Sequence, residues 1–247
     1  MIEFDFKRFT GLIKYRFAIN KKTWALQLAG IFGIAMVITA IVFVDINNKL
    51  FFEDFYQPFY VMLMLFSVAY VSSRSFSEYA NTAKGFSYVM LPASSFEKFL
   101  VPALFSGILY FIIISVLYSL IALLTNVIWS VFYGFPIYFF NPFSESLIND
   151  TGILFMFYLV IQPVFLFGSI ALRKQHFIIT GIVFFIIFMV IAGIAMGYSS
   201  AAFGSTKYFS TTFDSNEDNT LKNYVIAGVF HLIMLSASYF KLKEREV

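Results

Sequence analysis

Cysteine is absent from the 247 residues. The chain therefore has no disulfide framework, no thiolate nucleophile and no cysteine-based metal site. Charge is scarce: Asp, Glu, Lys and Arg make up 13% of the residues, about half of the roughly 25% usual in soluble domains. Histidine occurs only as His176 and His231, and no H-E-x-x-H, G-x-S-x-G or EF-hand pattern is present. A catalytic centre needs a nucleophile, an acid or base, or a metal, held within reach of one another. With that supply so poor, no catalytic residue and no metal site are expected. Missing too is the G-x-x-x-x-G-K-[ST] phosphate loop, so the chain does not hydrolyse ATP alone.

What fills the sequence instead is apolar and aromatic: 60% hydrophobic residues, 35 Phe and 15 Tyr. They fall in runs of about 17 to 27 residues, and about 20 helical residues cross a hydrocarbon core roughly 30 Å thick. The expected fold is an all-α integral membrane protein. Six transmembrane helices are placed at about 24–44, 55–73, 99–125, 152–172, 177–198 and 224–240. Residues 1–23 precede them as an interfacial amphipathic helix, with Ile2, Phe6, Phe9, Ile13 and Phe17 on one face and Lys7, Lys14 and Lys21 on another. Arg16 sits near the apolar face and would have to snorkel out of it. Pro102 is expected to bend the start of the third span. The aromatic segment 127–140 is short and interrupted by Gly134 and Pro136, which suits an outer interfacial or re-entrant insert. An acid-rich outer loop is expected at 199–223.

With six spans, 14 of the 17 Lys and Arg fall on one side and Lys49, Lys207 and Lys222 on the other. That asymmetry places both termini in the cytoplasm. A seventh span at 127–140 would move Arg173, Lys174 and the basic C-terminus outside, so six is the better count. None of the span interiors contains Asp, Glu, Lys or Arg. Ion-coupled carriers commonly place such groups at mid-membrane, so an ion-coupled carrier is a poor fit. Gln162, beside Pro163, and His231 are the polar groups that could face a translocation path; interhelical hydrogen bonding is the plain alternative for each. Gly193 and Gly197 form a G-x-x-x-G spacing that serves helix packing, within the chain or between subunits.

Between spans two and three lies a 74–98 loop on the positive side. Ser94 and Glu97 match the S-x-x-E capping box, and Pro92 before them stops any preceding helix, so the third span begins near Ser95. Upstream, Ser75 to Ala83 suits a short helix ended at Gly85, flanked by aromatic and charged groups that a soluble partner could engage.

The sequence YVMLPASSFEKFL, residues 88–100, resembles a segment of a bacterial subgroup of ABC-2-type transporter permease subunits. The layout of a surface helix, six spans and a loop between spans two and three is similar to theirs. The resemblance implies a permease subunit of an ATP-driven exporter, in a bacterial inner membrane, paired with a second permease subunit (the same chain or a paralogue). It also implies a separate ABC ATPase subunit that carries the ATP and Mg, leaving this chain with no cofactor and no nucleic-acid partner. By the same resemblance the loop between spans two and three carries a coupling helix, and Arg74, Phe76, Glu78, Tyr79 and Lys84 become the ATPase-docking residues. The other function class in view is a membrane-embedded structural or regulatory subunit without transport. An intramembrane hydrolase comes last for want of a nucleophile.

Overall fold

The computed structural model describes residues 4–44, 51–77, 90–134, 140, 145–172, 175–203 and 217–246. Every regular element among them is helical. In chain order these are α1 (Phe6–Val44), α2 (Phe51–Arg74), α3 (Ser95–Leu104), a π-helical turn (Phe105–Leu109), α4 (Tyr110–Tyr133), α5 (Glu145–Ala171), α6 (His176–Phe203) and α7 (Glu217–Glu246). Among the described residues, four stretches are long and apolar enough to cross a membrane: Phe6–Thr39, Ser95–Phe132, His176–Ile194 and Tyr224–Arg245.

Helix α4 shows what kind of solvent the chain is built for. Ile112, Val116, Leu120, Leu124 and Ile128, spaced four apart, form an exposed aliphatic stripe. Its opposite face buries Tyr110, Ser115, Tyr118, Thr125 and Asn126. Apolar groups outside and hydrogen-bonding groups inside would be unstable in water. In lipid that arrangement is the favourable one, because polar side chains then find their partners between helices. Helix α6 is exposed and apolar all round from Phe185 to Ile191. The chain is an integral membrane protein.

Helices α2 and α5 form the centre. α5 packs most extensively against α2 and α7, α6 lies on α5 and α2, and α1 rests on α3 and α4 at the periphery. One core gathers Tyr56, Tyr60 and Met64 of α2 with Ile114, Tyr118 and Ala122 of α4. Three of its tyrosine hydroxyls are paired: Tyr60 with Ser115 at 2.7 Å, Tyr118 donating to the Tyr56 carbonyl at 2.9 Å, and Asn126 donating to the Tyr56 hydroxyl at 3.2 Å. A second core joins Phe76, Phe99, Leu166, Ile170 and Leu242. Next to it Arg245 of α7 donates to the Ala171 carbonyl at the end of α5, satisfying an acceptor that a helix end leaves open.

Several sequence expectations change. No boundary falls at residue 23: α1 is one helix of 39 residues, about 58 Å at 1.5 Å per residue. Nothing between Lys21 and Leu26 breaks a helix, so the two expected elements form one continuous helix. Along the N-terminal part of α1 the protein-facing side holds Phe9 and Arg16, seven residues apart, while Phe6 and Phe17 are exposed. Arg16 does not snorkel: it is buried and donates to the Ser75 carbonyl.

The third span also differs. Pro102 sits inside α3, and the irregularity falls one turn later, in the π turn around Gly107 (φ −92°, ψ −109°). The segment 127–140 is not a separate insert throughout, because α4 runs on to Tyr133, where nothing before Gly134 interrupts it. Gly134 ends the helix in the left-handed region (φ 68°), its N–H donating to the Ser130 carbonyl. Beyond residues 135–139, which lie outside the described set, Phe140 is buried with its ring 5.0 Å from Tyr118 and 5.5 Å from Tyr60. The ends of the 199–223 loop are helical as well, belonging to α6 up to Phe203 and to α7 from Glu217.

Candidate functional site at the clamped 74–98 connection

The N-terminal half of α1 is fastened to both flanks of the 74–98 connection. On one flank, α3 begins in a capping box: Ser94 Oγ accepts from the Glu97 N–H at 3.2 Å, and Glu97 Oε2 accepts from the Ser94 N–H at 3.0 Å. The carboxylate has a second duty. Its Oε1 accepts the Asp5 N–H at 2.8 Å and lies 3.6 Å from an Arg8 guanidinium nitrogen. Glu97 is fully buried, so its charge is matched by two backbone donors and one cation rather than by water. The other flank is held by Arg16, through the Ser75 carbonyl just beyond α2.

The expected docking residues divide on this frame. Arg74 is exposed; its guanidinium donates to the Tyr70 hydroxyl at 2.8 Å and stands 5.7 Å from that ring's centroid. Phe76 is inside the protein, 1% exposed, with its ring stacked on Phe99 at 6.2 Å. It holds the connection to the second core and is not open to a partner, because ring stacking and burial among Leu166, Ile170 and Leu242 outweigh exposure of an apolar side chain. Glu78, Tyr79 and Lys84 lie outside the described residues.

Gln162 and His231 take up hydrogen bonds between helices. Gln162 is buried, its Nε2 donating to Ser106 Oγ at 3.2 Å. One turn earlier on α5, the Tyr158 hydroxyl donates to the Gly107 carbonyl at 2.6 Å, with the Ser106 carbonyl at 3.3 Å. Together they serve the π turn, where the widened helix leaves carbonyls without their usual amides. His231 of α7 places Nδ1 2.8 Å from the Leu159 carbonyl. Leu159 is four residues before Pro163, and proline has no N–H to return to it. His231 supplies the missing donor. The Gln-Pro pair and the distant histidine thus serve adjacent turns of one helix.

Gly193 has open space where a Cβ would stand, so no described residue packs on it; Gly197 is in the same helix, outside the residues whose surroundings are described. Close helix approach occurs at Gly168 of α5, where a Cβ would collide with the Thr180 side chain of α6. Nothing in the sequence marked Gly168 beyond its being a glycine in a span. Tyr158 was legible in principle, since it sits one turn before Gln162.

Beside the clamp, α1, the end of α2, the π turn and the start of α4 enclose a cavity of about 850 Å³. Arg16, Lys21 and Arg74 stand at one end of its lining, and Trp24, Leu28, Ile31, Leu109 and Ile113 form an apolar wall. Among the described residues no group of three or more potential metal ligands occurs. Comparison with known proteins returns no matching family model, no matching curated protein and no matching solved structure.

Proposed function

We propose that this chain is the membrane-spanning permease subunit of an ATP-driven ABC exporter, with six transmembrane helices, a basic N-terminal helix at the cytoplasmic interface and both termini in the cytoplasm of a bacterial inner membrane. A dimer of such halves forms the translocation path, and two separate ABC ATPase subunits drive it. The chain does no chemistry of its own. The 74–98 connection is the cytoplasmic coupling element, and α2 and α5 are the second and fourth spans.

The observation that carries the reading is the double attachment of α1 to that connection, through Arg16 to Ser75 and through Asp5 and Arg8 to Glu97. A soluble motor pushing on a loop moves the spans only if the loop's ends are mechanically tied to them. Here both ends are tied, one of them by a buried carboxylate. The orientation count, the absence of span charges and the absence of a phosphate loop agree with a transport subunit powered from elsewhere. Because Phe76 is buried, docking falls to Arg74 and to Glu78, Tyr79 and Lys84.

The test is purification of the tagged full chain from its native membrane in mild detergent. A phosphate-loop ATPase, identified by its peptides, is expected in stoichiometric amount, and the double variant E78K/K84E is expected to lose it while still inserting and purifying normally. Recovery of the chain with no ATPase would return the protein to the class of membrane-embedded structural or regulatory subunits.

A further inference from the structure

We infer that the cavity between α1, α2 and α4 holds an anionic phospholipid of the cytoplasmic leaflet, its phosphate at Arg16 and one acyl chain along the α1 wall. This requires only that the chain be embedded with its basic side inward, and not that it couple to an ATPase.

Three features of the lining point to that ligand. The first is charge without compensation: among the described residues, no carboxylate lies within ion-pair distance of Arg16, Lys21 or Arg74. The second is Arg16 itself. It is only 8% exposed, one terminal nitrogen is engaged with the Ser75 carbonyl, and its Nε is buried without a partner. A guanidinium in the wall of the cavity suits a phosphate, whose oxygens accept charge-assisted N–H bonds and bring a balancing charge. The third is the wall from Trp24 to Ile31, about 10 Å long at 1.5 Å per residue. That is most of the roughly 15 Å hydrocarbon half-thickness of one leaflet. Inorganic phosphate would leave this apolar surface uncovered. A zwitterionic headgroup would bring an ammonium to a lining whose described residues offer it three cations and no acid. The cytoplasmic leaflet is where anionic lipids and a basic rim meet.

The chain provides its own probe, because Trp24 lines the cavity and the only other tryptophan is Trp129. In a W129F background, the full chain is placed in vesicles of phosphatidylcholine containing a minor fraction of either brominated phosphatidylglycerol or brominated phosphatidylcholine. Bromine on the acyl chain quenches a tryptophan it touches. Brominated phosphatidylglycerol is expected to quench Trp24 at a concentration about tenfold lower than brominated phosphatidylcholine, the selectivity of one charge-assisted contact. R16Q should abolish the difference. Should R16Q fail to fold, as judged by circular dichroism, K21Q/R74Q decides instead: both side chains are exposed, and their loss should reduce the difference without disturbing helicity. Added inorganic phosphate should leave the difference intact. Equal quenching by the two lipids, a difference that survives K21Q/R74Q and R16Q, or its removal by inorganic phosphate would each overturn the assignment.

Discussion

Replacing Glu97 probes the join between α1 and the 74–98 connection. The side chain is fully buried and accepts from two backbone donors, Asp5 and Ser94, at 2.8 and 3.0 Å. In E97A the N-cap loses half of its reciprocal box, a loss of about 0.5–2 kcal/mol. A backbone N–H left unpaired costs about 1–3 kcal/mol more, towards the low end at Asp5, which is exposed to solvent. The Arg8 contact at 3.6 Å adds less than about 1 kcal/mol, because Arg8 is 35% exposed. Relief from burying a carboxylate offsets part of this. The net expectation is a loss of about 2–5 kcal/mol, a melting shift on the order of 10 °C. S94A removes only the 3.2 Å bond from the Glu97 N–H and should cost about 1 kcal/mol. E97Q should fall between them, because its single amide oxygen can serve one of the two donors while its NH₂ faces the other. Thermal unfolding in detergent ranks the three variants, and hydrogen exchange at Asp5 and the first turn of α1 should quicken in E97A but not in S94A. Equal shifts for S94A and E97A, or unchanged exchange at Asp5, would refute the claim that Glu97 joins two elements.

Other outcomes follow from the helix contacts. G168A should destabilise by about 1–3 kcal/mol through collision with Thr180, and T180A should recover much of that loss, as read from melting of the single and double variants. H231A strands the Leu159 carbonyl that Pro163 cannot serve and should cost about 1–2 kcal/mol. In a P163A background, where residue 163 regains its N–H, the same H231A change should cost much less; additive losses in that double-mutant cycle would contradict the pairing. Y158F removes the donor to the Gly107 carbonyl and should destabilise by about 0.5–1.5 kcal/mol, with faster exchange confined to the π turn.

Much of the fold was legible because lipid simplifies the problem. Long charge-free runs leave helix as the means of satisfying the backbone, so the helical class and the presence of several long apolar helices could be read directly. The start of α3 was equally plain, since S-x-x-E with a preceding proline is a local signal whose partners are three residues apart. What resisted reading depends on distant neighbours. Arg16 looked like a snorkelling cation because its protein-facing direction is fixed by Ser75, 59 residues away. Phe76 looked available because it is buried by residues distant in sequence, Phe99 and the far ends of α5 and α7 among them. Segment 127–140 was cut off from the third span because Gly134 and Pro136 coloured the whole stretch, although only Gly134 ends the helix, and it does so after Tyr133. The close contact at Gly168 carried no pattern, whereas the G-x-x-x-G spacing at Gly193 did and meets no described neighbour.

The absence of cysteine makes the most direct test of the central claim simple, because one introduced thiol is unique. K84C, expressed in the native host, should react with a membrane-impermeant maleimide only when the cytoplasmic face is open. A short bifunctional reagent should then join it to a phosphate-loop ATPase in a product whose yield changes with ATP. Labelling of K84C from the outer face, or a cross-linked product containing no ATPase, would contradict the account.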